Sequence, residues 1–212
     1  MRRSRRVILC VGLDEGGQED GTVRYFGFQA GTTGKALQLI LLLGQRPGEV
    51  SHMLAEHVID GWWEMPGEPI NELNWPGTKN KQSHRVWIPH HVQLLLADAP
   101  TDGFLLPGRG GRAITSLDDV MRSICKELRI TDKITPHDLR RTHGSTITGL
   151  GFGRDAMNRI QNHKEGGIGD VYDRHQYADQ NKSIMEAVAA HLVGLAEGRP
   201  AVANVVDIRS RA

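Results

Sequence analysis

From residue 35 onward the chain alternates between apolar runs of helical length and breaks marked by glycine or proline. KALQLILLL (35–43) is an apolar helical run stopped by Gly44 and Pro47, and a second short helix is expected over 48–57. The pattern changes between 58 and 89: WWEMPG, a Pro/Gly-rich link, then NWPGTKNKQSHRVWIP, where two short extended runs flank a polar turn at 79–83. A small antiparallel sheet is predicted there. After Pro89 the period is helical again, with segments expected at 91–97, 116–128, 136–150, 154–161, 170–175 and 179–195. Ser116 and Thr135 fit as N-caps, the latter with Pro136 at the first helical position. PGRGG at 107–111 marks a surface loop, and the Gly-rich stretch 12–34 also reads as loop. The tail after Gly198 has no helical period and is expected to be mobile or to form an edge strand.

The fold class is therefore α+β, mainly α-helical, with a small antiparallel β-sheet near the N-terminal third. At 212 residues, with 39% apolar and 24% charged positions, the chain fits one globular domain with irregular ends. The expected division is an irregular or truncated segment over 1–34, the domain over 35–197 and a tail over 198–212. A formal charge of +1 does not announce a nucleic-acid partner, so any basic surface must be local. Cys10 and Cys125 stand far apart, in neither a disulfide framework nor a metal-ligand pattern. No apolar run approaches the roughly 18 to 20 residues of a bilayer span, so no membrane role is expected. Ser4-Arg5-Arg6 before Val7-Ile8-Leu9 superficially resembles a twin-arginine export signal, but the apolar stretch runs straight into Asp14 and Glu15 without a small-residue cleavage site.

Candidate chemistry gathers in three places. In TPHDLRRTHGS, His137 and Arg140 stand at i and i+3 and share one helix face, so both can reach one anion. Arginine suits a phosphate because its planar fork is always charged and makes two parallel bonds. On its own such a pair more often makes a surface salt bridge. In QNHKEGGIGDVYDRHQY, a Gly-rich turn between His163 and Tyr172 can fold the tyrosine back toward the histidine. GQRPGEV sets Arg46 at a helix corner with Glu49 three residues on, and TKNKQS projects Lys79 and Lys81 from a turn. Each feature also has a bland reading: corner arginines cap helices, turn lysines are solvated and a helix-end tyrosine is half-buried packing.

Taken in order, Arg46, Lys79, His137, Arg140, His163 and Tyr172 resemble the tyrosine recombinases, the phage-integrase family, and most closely the integrases of genomic islands and temperate phages. GQRPGE, TKN, HDLRRT and NHKEG…Y are similar to its four motif blocks, and the resemblance runs from about Gly44 to Leu195. It implies the tyrosine-recombinase catalytic-domain fold and site-specific cutting and rejoining of DNA. It implies further that Arg46 and Arg140 clamp the scissile phosphate with His163, that Tyr172 attacks to give a 3′-phosphotyrosyl enzyme, and that His137 assists on the tyrosine side. Lys79 is the implied general acid, with Lys81 on the same turn as its rival. Glu49 resembles the family's acidic support residue, Lys81 and Arg141 are expected DNA contacts, and Tyr177 is a second aromatic that packs at the helix junction. Covalent storage of the bond explains why no nucleotide cofactor and no metal are expected. The implied partners are double-stranded DNA attachment sites, a homo-tetramer formed on them and accessory DNA-bending or excision factors, in a bacterial cytoplasm at the nucleoid.

Two rival classes remain open at this stage. One is a truncated, non-recombining DNA-binding remnant, because only 45 residues precede Arg46 where complete family members carry a further DNA-gripping domain. The other is a metal enzyme, prompted by ten histidines and the pair His90-His91, although neither HExxH nor a zinc-like Cys/His spacing is present. Type IB topoisomerases use similar chemistry and are the nearest mechanistic neighbour. The chain departs from the family wording at Leu43, where Thr is common, at Gln161, where an apolar residue is usual, and at His143. These departures put packing in doubt more than chemistry.

Overall fold

The computed structural model describes residues 7–13, 19–27, 31–163 and 177–197. Its centre is α1 (Thr32–Leu43), whose Ala36, Leu37 and five consecutive positions from Leu39 to Leu43 are all buried. Its C-terminal half is apolar all round, the mark of a core segment, and helices surround it on several sides. Its neighbours are α2 (Pro47–Ser51), α3 (His90–Leu95), α4 (Leu117–Glu127), α5 (Pro136–Gly149) and α7 (Ala178–Ala196). α6 (Gly153–Ile160) packs on α5. No described helix is long and apolar enough to cross a membrane.

Local chemistry sets the helix boundaries that matter for the site. α1 ends at Gly44, which takes the left-handed conformation that its missing side chain permits (φ 65°). Pro47 then starts α2, where the lost N–H is not needed. α5 begins in a capping box: Asp138 Oδ2 accepts the Thr135 backbone N–H at 2.8 Å and its hydroxyl at 2.6 Å. Ser116 precedes α4 without a side-chain cap bond.

The sheet has the order β3-β4-β5, formed by β3 (Val58–Ile59), β4 (Trp62–Met65) and β5 (His84–Trp87), all antiparallel. Trp63 and Met65 alternate inward to the core, while Trp62 meets its cross-strand partner Trp87 edge-on on the other face. Trp87 Nε1 donates to Glu186 Oε1 at 2.8 Å and ties the sheet to α7. One expectation is corrected here. The run NWPG does not pair with HRVWIP across the polar turn; WWEM does, and a long link joins the two strands. Trp75 is buried instead of extended, with only an isolated bridge to Ile70 and an indole N–H donated to Pro66 O at 2.9 Å. The link closes where Gly77, at φ 79°, approaches Gly67 so tightly that a Cβ would lie 2.5 Å from the Gly67 carbonyl oxygen.

The loop expected over 12–34 is overturned as well. β1 (Val7–Leu13) and β2 (Glu19–Gly27) form an antiparallel hairpin, with β1 beside α7 and α5, and α1 already begins at Thr32. The glycines there hide a strand period. The helix expected at 170–175 and the tail over 198–212 lie outside the described residues.

Candidate functional site

The corner between α1 and α2 carries Arg46, and it is fixed from both sides. Gln45 is fully buried and its Nε2 donates to Leu43 O and to Ile160 O, each at 2.9 Å, which pins the corner to the end of α6. Glu49, buried to 4% exposure, accepts the Arg46 backbone N–H at 3.1 Å and a guanidinium N–H at 3.0 Å. The other arm of Arg46 donates to Asn162 O at 3.2 Å. A charged side chain held by a carboxylate at one end and a carbonyl at the other has little freedom left.

Arg140 lies on the first turns of α5 and is 2% exposed. It donates to Gly44 O at 2.7 Å and to Gln161 O, bridging the end of α1 to the end of α6. Gln161 returns the contact, its Nε2 donating to Arg140 O at 2.8 Å. His137, one turn earlier on the same helix, is exposed. His163 follows the left-handed Asn162 (φ 50°), receives support from its own N–H to Asn158 O at 2.9 Å, and is exposed. The expected Lys79 turn is built by Thr78, whose buried hydroxyl donates to Gln82 O at 2.8 Å. Lys79 and Lys81 are both exposed at its tip, Lys81 at φ 58°. Lys79 N–H points to Glu49 Oε1 at 3.5 Å, which brings the turn to the Arg46 corner.

The groups also act on one another electrostatically. Burial, and then the charge of Arg46, pushes the Arg140 guanidinium down to about 10, with Glu49 opposing. The His163 imidazole is lowered by burial, then by Arg140, Arg46 and His137. His137 is lowered by burial, then by Arg140 and Arg141, with a further contribution from Lys79 and opposition from Asp138. Cations that depress their neighbours in this way form a patch of positive charge suited to an anion. Both imidazoles are thereby shifted toward the neutral form, in which each can donate one hydrogen bond and accept one proton.

The sequence-predicted residues Arg46, Glu49, Lys79, His137, Arg140 and His163 thus come together from four separate segments. Lys81 shares the turn, and Arg141 is exposed and paired with Asp138 at 2.9 Å. Tyr172 lies outside the described residues. Tyr177 stands at the start of α7 with the Arg159 guanidinium 4.1 Å over its ring. Sequence reasoning missed the carboxamides that hold the site, namely Gln45, Asn80, Gln161 and Asn162. It named Gln161 and His143 only as departures, yet Gln161 brackets Arg140, and His143 is fully buried with Nδ1 donating to Leu41 O at 3.0 Å. Among the described residues, no group of three or more His, Cys, Asp or Glu side chains can hold a metal. A separate hollow of about 530 Å³, bordered by His52, Trp75 and Phe104 among others, shares no residue with the cluster.

No protein-family model matches the chain, and no curated protein does. Among solved structures it is similar to the XerH site-specific recombinase bound to difH substrate in a pre-cleavage complex, at 14% identity and a TM-score of 0.47 over 63% of this chain and 40% of that one. It is also similar to the XerA recombinase, at 17% identity and a TM-score of 0.48 over 72% of this chain and 58% of that one. The XerH complex with palindromic difH substrate, post-cleavage, gives 14% and 0.49 over 74% of this chain and 45% of that one. The chain spans about half the length of these structures.

Proposed function

We propose that this chain is a tyrosine recombinase of the integrase kind, which cuts and rejoins DNA strands at attachment sites through a covalent 3′-phosphotyrosyl bond to Tyr172. The observation that carries this reading is the gathering of four segments by shared contacts: Arg46 on Asn162 O beside His163, Arg140 of the His137 helix on Gly44 O and Gln161 O, and the Lys79 turn against Glu49. A phosphodiester repels nucleophiles, and its transition state places more charge on the non-bridging oxygens. In this reading Arg46 and Arg140 bind those oxygens, and His163 supplies a third donor.

In the proposed step the Tyr172 oxygen bonds to phosphorus as the bond from phosphorus to the 5′-oxygen breaks. The tyrosine, with an ordinary pKa of about 10, must lose its proton, and His137 is the neutral acceptor on that side. The departing 5′-oxygen takes a proton from the Lys79 ammonium. Lys79 is preferred over Lys81 because its charge acts on His137 and its backbone lies against Glu49. Reversal, with a different 5′-hydroxyl attacking, rejoins the strand without a cofactor. Glu49 orients Arg46, and Lys81 and Arg141 are assigned to the DNA backbone. The catalytic domain is taken as 35–197, acting as a homo-tetramer on DNA in the bacterial cytoplasm, with accessory DNA-bending or excision factors as further partners.

The test is a nicked suicide duplex spanning the attachment site of the mobile element that carries the chain. A protein-DNA adduct that survives denaturation, absent for Tyr172→Phe while duplex binding remains, supports the reading. Binding without any adduct from the unaltered chain refutes it in favour of a non-cutting DNA binder.

A further inference from the structure

Asn80 and Asn162 face each other across the site with their carboxamides paired head to tail. Asn80 Nδ2 donates to Asn162 Oδ1 at 2.9 Å, and Asn162 Nδ2 donates back to Asn80 Oδ1 at 3.2 Å. Asn80 Nδ2 also reaches Asn162 O at 3.3 Å, the same carbonyl that binds Arg46. Asn80 directly follows Lys79, and Asn162 directly precedes His163. The pair therefore joins the turn bearing the lysine to the segment bearing the histidine, across 82 residues of sequence.

This join carries a particular burden. The stem of the turn is fixed locally, by Thr78 N–H to Gly67 O at 3.0 Å and by Gly67 N–H to Ser83 Oγ at 3.1 Å. At the tip, the paired carboxamides are the short contact toward the phosphate clamp, beside the 3.5 Å approach of Lys79 N–H to Glu49. An exposed lysine has several rotatable bonds and loses much freedom when it is held to one position. A proton donor must nonetheless sit within hydrogen-bond reach of the leaving oxygen. Asn162 suits its place because asparagine tolerates the left-handed backbone there (φ 50°) better than most residues.

We propose that Asn80 and Asn162 are positioning residues that dock the Lys79 turn onto the Arg46 and His163 side of the site, so that the leaving-group proton is delivered to the phosphate the arginines hold. This rests on the reading of Lys79 as general acid. The carboxamide pair touches no reacting atom. Its effect is confined to the proton-transfer half of the reaction, because the two carboxamides bond neither arginine side chain: Arg46 is held by the Asn162 backbone carbonyl, which a substitution of the side chain keeps.

Two substrates separate that role from a general structural one. On the natural suicide duplex the 5′-oxygen must take a proton as it leaves. On a duplex with sulfur in place of that bridging 5′-oxygen, the bond from phosphorus to sulfur breaks and a thiolate leaves without needing one, since thiol pKa values lie near 8.5. Asn80→Ala and Asn162→Gly, the latter keeping the left-handed turn, are expected to cut the natural duplex about 10- to 100-fold more slowly. Both are expected to cut the sulfur duplex at the rate of the unaltered chain, the outcome also expected for Lys79→Ala. Adding Asn80→Ala to Lys79→Ala should cost nothing more on the natural duplex. Equal losses on both duplexes, or no loss on either, overturn the proposal. An unaltered chain that cuts neither duplex refutes the recombinase reading itself. The docking is then read by hydrogen exchange in free Asn162→Gly protein: faster exchange across 78–83 is expected, and unchanged exchange there overturns it.

Discussion

The imidazole of His143 occupies the space that a side chain on Gly44 would need. A Cβ built on Gly44 would lie 2.3 Å from His143 Cδ2, and Gly44 already holds the left-handed φ of 65°. The corner that presents Arg46 is thus shaped by a residue on α5, the same helix that supplies Arg140.

Gly44→Ala meets both penalties at once, a left-handed alanine and an overpacked ring. The expected loss of stability is about 2–4 kcal/mol, read by chemical denaturation. Adding His143→Ala removes the clash and leaves the backbone strain, so the double variant should be more stable than the sum of the two single losses. Strict additivity would contradict this account of the corner.

The burial of His143 also predicts a pH effect on stability. Burial pushes its imidazole down to about 4 from an ordinary 6.5, so the unfolded chain takes up a proton in this interval and the folded chain does not. The stability is complete above pH 6.5 and falls as pH drops toward 4, by about 1.4 kcal/mol per pH unit from this group. His57, lowered by burial, adds in the same direction. His143→Gln should flatten the slope between these limits in acid titrations of the unfolding free energy; an unchanged slope would count against a neutral buried His143.

Arg140→Lys tests whether the fork matters or only the charge. A lysine can place one ammonium but cannot span Gly44 O and Gln161 O together. Each buried carbonyl left unpaired costs about 1–3 kcal/mol, so the variant should unfold at lower denaturant and form no covalent adduct. Arg141→Lys, on the exposed neighbour, should leave stability unchanged.

The core helix and the candidate site residues were picked out in the sequence for different reasons. The α1 run is apolar without a break from Leu39 to Leu43 because that part is buried all round, and Gly44 and Pro47 announce its end in local chemistry. Arg46, His137, Arg140 and His163 were singled out by their order and type taken together, since each alone has a bland reading, and the fold brings their segments to one place. The partner of β5 did not stand out, because the choice of WWEM over NWPG depends on how Gly67 and Gly77 close a long link. The hairpin of β1 and β2 was hidden by glycines that break the alternation of side chains. The positioning carboxamides were illegible for a different reason: an asparagine or glutamine gains its role only from the backbone that happens to lie beside it after folding.

Cutting should persist into mild acid. The His137 imidazole is lowered from its ordinary 6.5, chiefly by partial burial and by Arg140, so its neutral, proton-accepting form survives below that pH. The acid limb of the rate of adduct formation is therefore expected below 6.5, and Arg141→Ala, which removes one of the lowering charges, should move it upward. A limb at or above 6.5 in the unaltered chain would contradict His137 as the acceptor.

The most direct measurement is to capture the covalent adduct on the suicide duplex, digest protein and DNA, and map the nucleotide-bearing residue by mass spectrometry. The account predicts a 3′-phosphoryl link on Tyr172, a free 5′-hydroxyl on the released strand, and no adduct from Arg46→Ala or Arg140→Ala protein. A link on Tyr177, whose ring is covered by Arg159, or on any other residue would contradict it, as would an adduct that forms equally well without the two arginines.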